Sequence, residues 1–262
     1  MATPRAIQLH GRPLGGDRYP AICAPLVGRT RERVLAEAAA VAARRPDLLE
    51  WRVDFFDGIG DIEGVVALAA EIKRAAGGLP LLFTRRSSRE GGEPVALAEP
   101  QAVALCRAVC AGGAIEFIDY EMSSDPEHVR AVREAARAAG AQLVLSFHDF
   151  QGTPAREALR QRFALAEQLG ADIAKIAVMP RGMDDVLTLL AATLEASGAL
   201  KIPVISMAMG GAGAVTRLAG GLFGSALSFA VGEQASAPGQ WPIDELETAL
   251  ALLRKASGYW GA

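Results

Sequence analysis

Lys175 sits in the middle of an apolar run, Ile173-Ala174-Lys175-Ile176-Ala177-Val178-Met179, from which its amine cannot easily reach water. It is one of only four lysines among 27 basic residues; Lys73, Lys201 and Lys255 fall on helical stretches or just before a turn and read as solvated. His148, one of three histidines, ends another apolar run, whereas His10 lies in the lead-in and His128 on a helical surface. A buried lysine and a histidine at neighbouring strand ends suit imine chemistry. The amine condenses with a ketone, the protonated imine draws electrons as an α-proton leaves, and the neutral imidazole takes that proton and later returns it. An amine titrates near 10.4 in water, so nucleophilic use near neutrality calls for a fall of about 3 units, which burial and neighbouring arginines would supply. The competing reading is a structural lysine paired with Glu121.

Other charged residues fall where strands should be apolar, and charge there is expensive unless paired. Glu50, Arg52 and Asp54 share one face of an extended run, with Leu49, Trp51 and Val53 on the other. Asp119 and Glu121 share a parity, so both point inward if either does, and their charges need a cation nearby. The stretch 84–93 (Thr-Arg-Arg-Ser-Ser-Arg-Glu-Gly-Gly-Glu) reads as a mobile loop able to fold over an anion, or as an ordinary solvated loop.

Positioning these groups requires a scaffold of many strands. Eight short apolar runs, at 21–27, 48–54, 80–85, 115–122, 142–148, 173–179, 203–209 and 226–231, alternate with Ala/Leu/Arg/Glu-rich helical stretches. Asp125-Pro126 and Thr153-Pro154 read as helix starts, as do Asp61, Asp184 and Asp244; Gly77, Gly112, Gly140, Gly170 and Gly198 read as helix stops. Eight βα units in 262 residues imply a single-domain α/β fold, a (β/α)8 TIM barrel over residues 21–262, after a lead-in over 1–20 that adds a short hairpin. A doubly wound open sheet would need a glycine-rich turn after the first strand, and Leu26-Val27-Gly28-Arg29-Thr30 does not supply one. The small-residue stretch 235–240 reads as a lid.

Composition narrows the partners. A formal net charge of −3 gives no electrostatic reason to bind nucleic acid or an anionic membrane. No apolar run approaches the roughly 18–20 residues a membrane span needs, and no signal peptide is legible, which points to the cytoplasm. Three cysteines without CxxC spacing read as reduced, buried thiols, with no metal knuckle and no disulfide framework.

Taken in order, several of these runs carry a resemblance. Glu50-Trp51-Arg52-Val53-Asp54, Phe83-Thr84-Arg85-Arg86-Ser87 with Glu90-Gly91-Gly92-Glu93, Ser146-Phe147-His148-Asp149-Phe150 and 171–180 are joined by Thr216-Arg217-Leu218-Ala219-Gly220, Phe223-Gly224-Ser225-Ala226 and 235–240. Over about residues 20 to 255 the chain resembles type I 3-dehydroquinate dehydratase, the type I 3-dehydroquinase of the shikimate pathway. The resemblance implies a (β/α)8 barrel, commonly a homodimer, without metal or organic cofactor, acting on the small molecule 3-dehydroquinate. Residue by residue, it implies that Lys175 forms the Schiff base, that His148 is the general base and acid, and that Glu90 orients it. It further implies that Arg217 grips the substrate carboxylate and that Glu50, Arg52 and Arg86 make hydroxyl and orienting contacts. Ser236 and Gln240 match lid residues, and Met207 and Met209 the apolar wall. Two positions depart from the pattern: Gly210-Gly211-Ala212-Gly213 replaces a loop that often carries Lys and Thr, and Phe147 stands where a polar residue commonly precedes the histidine. The same dehydration serves aromatic biosynthesis and quinate breakdown. Two other readings stand beside this one: a class I aldolase using glycines 210, 211 and 213 for a sugar phosphate, and a barrel kept as a non-enzymatic scaffold.

Overall fold

All eight apolar runs are strands in the computed structural model, which describes residues 5–257. After a two-residue antiparallel pair, β1 (Gln8–Leu9) and β2 (Arg12–Pro13), come β3 (Ala21–Leu26), β4 (Leu48–Arg52), β5 (Leu81–Thr84), β6 (Phe117–Glu121), β7 (Gln142–Asp149), β8 (Ile173–Val178), β9 (Val204–Ala208) and β10 (Leu227–Val231). Neighbours in this series pair in parallel, and the sheet curls until its ends meet. Val204 bridges Ser225, and the Ala226 N–H donates to the Val204 carbonyl at 2.8 Å. The fold is a (β/α)8 barrel. A short ninth strand, β11 (Trp241–Pro242), pairs with the end of β10. Residues 1–4 and 258–262, the outer ends of the two expected segments, lie outside the described residues.

Strand parity divides the apolar residues into two cores. Leu49, Trp51, Val53, Phe83 and Ile118 face outward and pack under the helices. Leu48, Leu82, Phe117, Val144, Ile173, Ile205 and Leu227 face inward and fill the lower barrel. Ile7, Leu14 and Tyr19 join that inner cluster, so the lead-in stoppers the end of the barrel where the strands begin.

Eight helices form the outer layer: α1 (Arg31–Ala42), α2 (Ile62–Ala75), α3 (Glu99–Ala111), α4 (Pro126–Ala139), α5 (Arg156–Gln168), α6 (Met183–Ala199), α7 (Gly210–Ala219) and α8 (Ile243–Ser257). Asp61 and Asp125 cap α2 and α4 by accepting from Gly64 N and Glu127 N. Two expected boundaries are corrected. Thr153 is not a cap: Met179 N donates to Gly152 O and the Thr153 hydroxyl donates to Met179 O, which ties this segment to the end of β8 and delays α5 until Arg156. Gly198 does not stop α6, which runs on to Ala199 because Ala196, Ser197 and Leu200 are buried beneath it. Asp54 also leaves its expected strand. β4 ends at Arg52, a 3-10 turn spans Val53–Phe55, and the Asp54 carboxylate folds back to take Arg52 Nε at 2.8 Å and Nη2 at 2.7 Å.

Candidate active site

The interior becomes polar one layer above the apolar plug. Lys175, inward on β8 and 4% exposed, places Nζ 3.1 Å from Asp119 Oδ2 and 3.4 Å from Glu50 Oε1. The ring of Phe229 lies 4.6 Å from it. The charged groups touching the amine are therefore carboxylates, not the arginines expected to repel its proton. Nor is Glu121 its partner: that carboxylate accepts from Ser87 N at 2.7 Å and from the Ser87 hydroxyl at 2.6 Å.

Arg86 holds the acids in place. Its guanidinium donates to Asp119 Oδ1 at 2.6 Å, Glu121 Oε1 at 3.2 Å and Ser146 Oγ at 2.8 Å. Burial alone would raise Asp119, but Arg86, Lys175 and the Ser146 hydroxyl bring it below the ordinary carboxylate value. Arg86 lines the pocket, yet most of its fork is engaged beneath it.

Glu90 reaches the site from a 3-10 turn, Ser88–Glu90, ended by Gly91 at φ +83°. A Cβ on Gly92 would stand 2.1 Å from Arg86 O, so only glycine lets the chain turn here. Glu90 Oε2 accepts from His148 N at 3.0 Å and lies 2.9 Å from His148 Nδ1; its other oxygen accepts from Ser123 Oγ at 2.6 Å. Burial pushes the Glu90 carboxyl up to about 7. Burial, then the charges of Arg86, Lys175 and Arg52, push His148 well below its usual value, so the imidazole is neutral at pH 7. With Nδ1 on Glu90, Nε2 is the nitrogen left for the pocket.

Arg217, on α7, is 2% exposed and has no carboxylate partner among the described residues. It donates to Phe229 O at 3.3 Å and Pro238 O at 3.2 Å, while Nε finds no acceptor. Burial lowers this guanidinium to about 10. A buried cation so placed asks for an anion from outside. The loop of the expected lid lies closed over it. Pro238 O accepts from Gly210 N as well, Arg52 Nη1 reaches Ser236 O at 3.5 Å, and Ser236 and Gln240 bond each other. Met207 and Met209 form an apolar wall.

One pocket collects Lys175, His148, Glu90, Glu50, Arg52, Arg86, Arg217, Met207, Met209, Ser236 and Gln240. Phe150, Ala177, Phe229 and Ala237 also line it, and sequence reasoning had not assigned them. Parity marks Asp119 as inward, but the sequence alone assigns it no role.

The type I 3-dehydroquinase family model matches residues 22–257. The chain belongs to the type I 3-dehydroquinase family. It is 56% identical over 258 residues to the 3-dehydroquinate dehydratase of Albidiferax ferrireducens, covering 98% of each chain. It is 52% identical over 256 residues to that of Aromatoleum aromaticum, again covering 98% of each. Its structure superposes on 3-dehydroquinate dehydratase from Geobacillus kaustophilus with a TM-score of 0.93 at 50% identity, covering 97% of this chain and 98% of the other. The Clostridium difficile type I enzyme, solved with covalently modified comenic acid, gives 0.91 at 36% identity, covering 97% and 100%. The chain is accordingly a hydro-lyase, a 3-dehydroquinate dehydratase. A 17% likeness to Salmonella typhimurium 3-hexulose-6-phosphate synthase, at TM-score 0.58, covers 88% of this chain and 99% of the other, and is a likeness of fold alone.

Both departures from the family pattern have local explanations. Phe147 faces the helix layer, where the Arg162 guanidinium stacks 3.6 Å from its ring centre, so it is no part of the pocket. Gly210-Gly211-Ala212-Gly213 makes the first turn of α7, and Gly210 N is spent on the lid rather than free for a phosphate. The three cysteines are buried and free, with thiols pushed up by burial. No helix among the described residues is long and apolar enough to cross a membrane.

Proposed function

We propose that this dehydratase removes water from 3-dehydroquinate, giving 3-dehydroshikimate, through an imine on Lys175, with His148 as base and then acid. One observation carries the reading: a buried lysine amine and a neutral histidine held by Glu90 line the same pocket. The covalently modified comenic acid on the Clostridium difficile relative supports it. His148 takes the proton beside the imine carbon, and its imidazolium then protonates the departing hydroxyl. Arg217 answers the substrate carboxylate, since a guanidinium fork matches that group. Glu50, Arg52 and Arg86 orient the hydroxyls. Ser236 and Gln240 hold the lid shut against water, and Met207 and Met209 wall the imine. The same reading assigns no metal or organic cofactor, a homodimeric working form, a cytoplasmic site and a step in the shikimate pathway. The deciding experiment incubates the protein with 3-dehydroquinate, adds borohydride and measures mass. A gain on the peptide carrying Lys175 is expected; turnover without any adduct would remove the covalent mechanism.

Two further results follow from the pocket. Arg217→Met should raise KM for 3-dehydroquinate by about 10²-fold, the cost of a charge-assisted contact, with a smaller effect on kcat. Calorimetry of the ligand-free variant should show it no less stable than the parent, because an unpaired buried cation has been removed. A parental KM would take Arg217 out of substrate binding.

The second concerns pH. When Glu90 is ionised it accepts Nδ1–H, leaving the Nε2 lone pair free as base. When Glu90 is protonated it donates to Nδ1, and the proton on Nε2 blocks that role. With the carboxyl raised to about 7, kcat/KM should fall as pH drops through that value. Glu90→Gln should abolish this acid limb and lower the plateau about 10²-fold; an unchanged limb would assign it elsewhere.

A further inference from the structure

We infer that Asp119 is a catalytic residue of this reaction: the fixed counter-ion of the Lys175 nitrogen, matching its positive charge as both ammonium and iminium. The inference rests on the imine reading above. Asp119 touches the reacting nitrogen through Oδ2 at 3.1 Å, while Oδ1 is taken by Arg86 at 2.6 Å and Ser146 at 2.7 Å. It is wholly buried behind the amine, on β6. Glu50, 3.4 Å from Nζ and tied to the Thr84 hydroxyl, opens instead onto the pocket. The Phe229 ring adds a third group suited to a cation.

The chemistry uses this enclosure. When ammonium and ketone condense, the nitrogen first gives up a proton to free its lone pair, a bond then forms between Nζ and carbon, and the carbonyl oxygen leaves as water. Two of the three ammonium protons go with the oxygen; the nitrogen keeps the third and its positive charge. The charge of the cavity is the same before and after, so one preorganised carboxylate serves both states. Proton transfer to His148 then moves the charge. The C–H electron pair shifts toward nitrogen, leaving a neutral enamine and an imidazolium beside Glu90. As the hydroxyl departs with the imidazolium proton, the enamine pair expels it and nitrogen becomes positive again. Hydrolysis returns ammonium and the product ketone. A carboxylate free to pick up a proton would fail at each transfer; Arg86 and Ser146 keep Asp119 from doing so. Because Asp119 lies behind the amine and Glu50 faces the ligand, loss of Asp119 acts on kcat more than on KM.

The test compares Asp119→Asn, Asp119→Glu and the parent. Asp119→Asn should lower kcat about 10²–10³-fold with KM changed less than about 5-fold, and should slow borohydride trapping in parallel. Asp119→Glu, which restores the charge, should recover part of the lost kcat. A kcat for Asp119→Asn within about threefold of the parent, or no recovery in Asp119→Glu when both are folded by circular dichroism, overturns the inference. Absence of an adduct in the parent overturns the imine reading itself, a separate outcome. Should the variants not fold, parent protein labelled with ¹⁵N at the lysine Nζ decides: a protonated iminium resonance with 3-dehydroquinate supports the counter-ion, and a neutral imine overturns it. With four lysines in the chain, the spectrum is simple enough to read.

Discussion

Lys175→Ala should leave no measurable dehydration of 3-dehydroquinate, a fall of at least about 10⁵-fold in kcat, and no adduct after borohydride. Among the described residues no other lysine lines the pocket. Lys73 is bound to Glu116 on the outside of the barrel, and Lys201 follows α6 at the opposite end, so neither can stand in. The loss is of the nucleophile, not of the fold. Truncation takes the amine from both Asp119 and Glu50, but Asp119 stays on Arg86 and Ser146 and Glu50 stays on the Thr84 hydroxyl. Binding should survive within about tenfold, since Arg217 and the lid are untouched. Titration calorimetry with the substrate checks that, and the ultraviolet absorbance of the conjugated product checks turnover. Retention of more than a trace of activity would mean that the amine is not the nucleophile.

His148→Ala should slow proton removal by about 10²–10⁴-fold while imine formation continues, so trapped adduct should build up beyond the level the parent reaches. The opposing behaviour of the two variants, one without adduct and one rich in it, separates nucleophile from base. A merely structural histidine would lower both signals together. Glu90 would lose its Nδ1 contact but keep His148 N and Ser123, so the loop should hold its place. Unchanged steady-state rates in this variant would remove the imidazole from the mechanism.

Much of this site is legible in the sequence because a charge on an apolar strand can only face a pocket or a partner. Parity alone sets Glu50, Asp119 and Lys175 on inner faces, and eight runs leave little choice of architecture. What parity cannot give is height. Along the hydrogen-bonded rows Glu121, Ser146 and Lys175 stand level, which would pair the lysine with Glu121. Barrel strands are tilted by about 36°, so a row climbs around the wall. The amine meets Asp119, one layer lower on the same strand, while Glu121 is claimed by Ser87. Asp54 and Thr153 depart from their expected places for a related reason: each is held by a distant partner, the Arg86 and Glu93 backbone N–H groups and the end of β8, that local spacing cannot reveal. Phe150 is not legible as a pocket residue because it is an aromatic just past a strand, and only the missing side chain at Gly91 leaves room for its ring at the pocket.

The stopper made by Ile7, Leu14 and Tyr19 has a bearing on the path of oxygen atoms. With that end shut, the pocket opens on the side where the lid stands. On the proposed imine reading, the water released as the ketone condenses would have to leave past the lid, the side from which the water that frees the product must also come. Reactant and finished enone would then share that one side, and the lid would have to move for each of them.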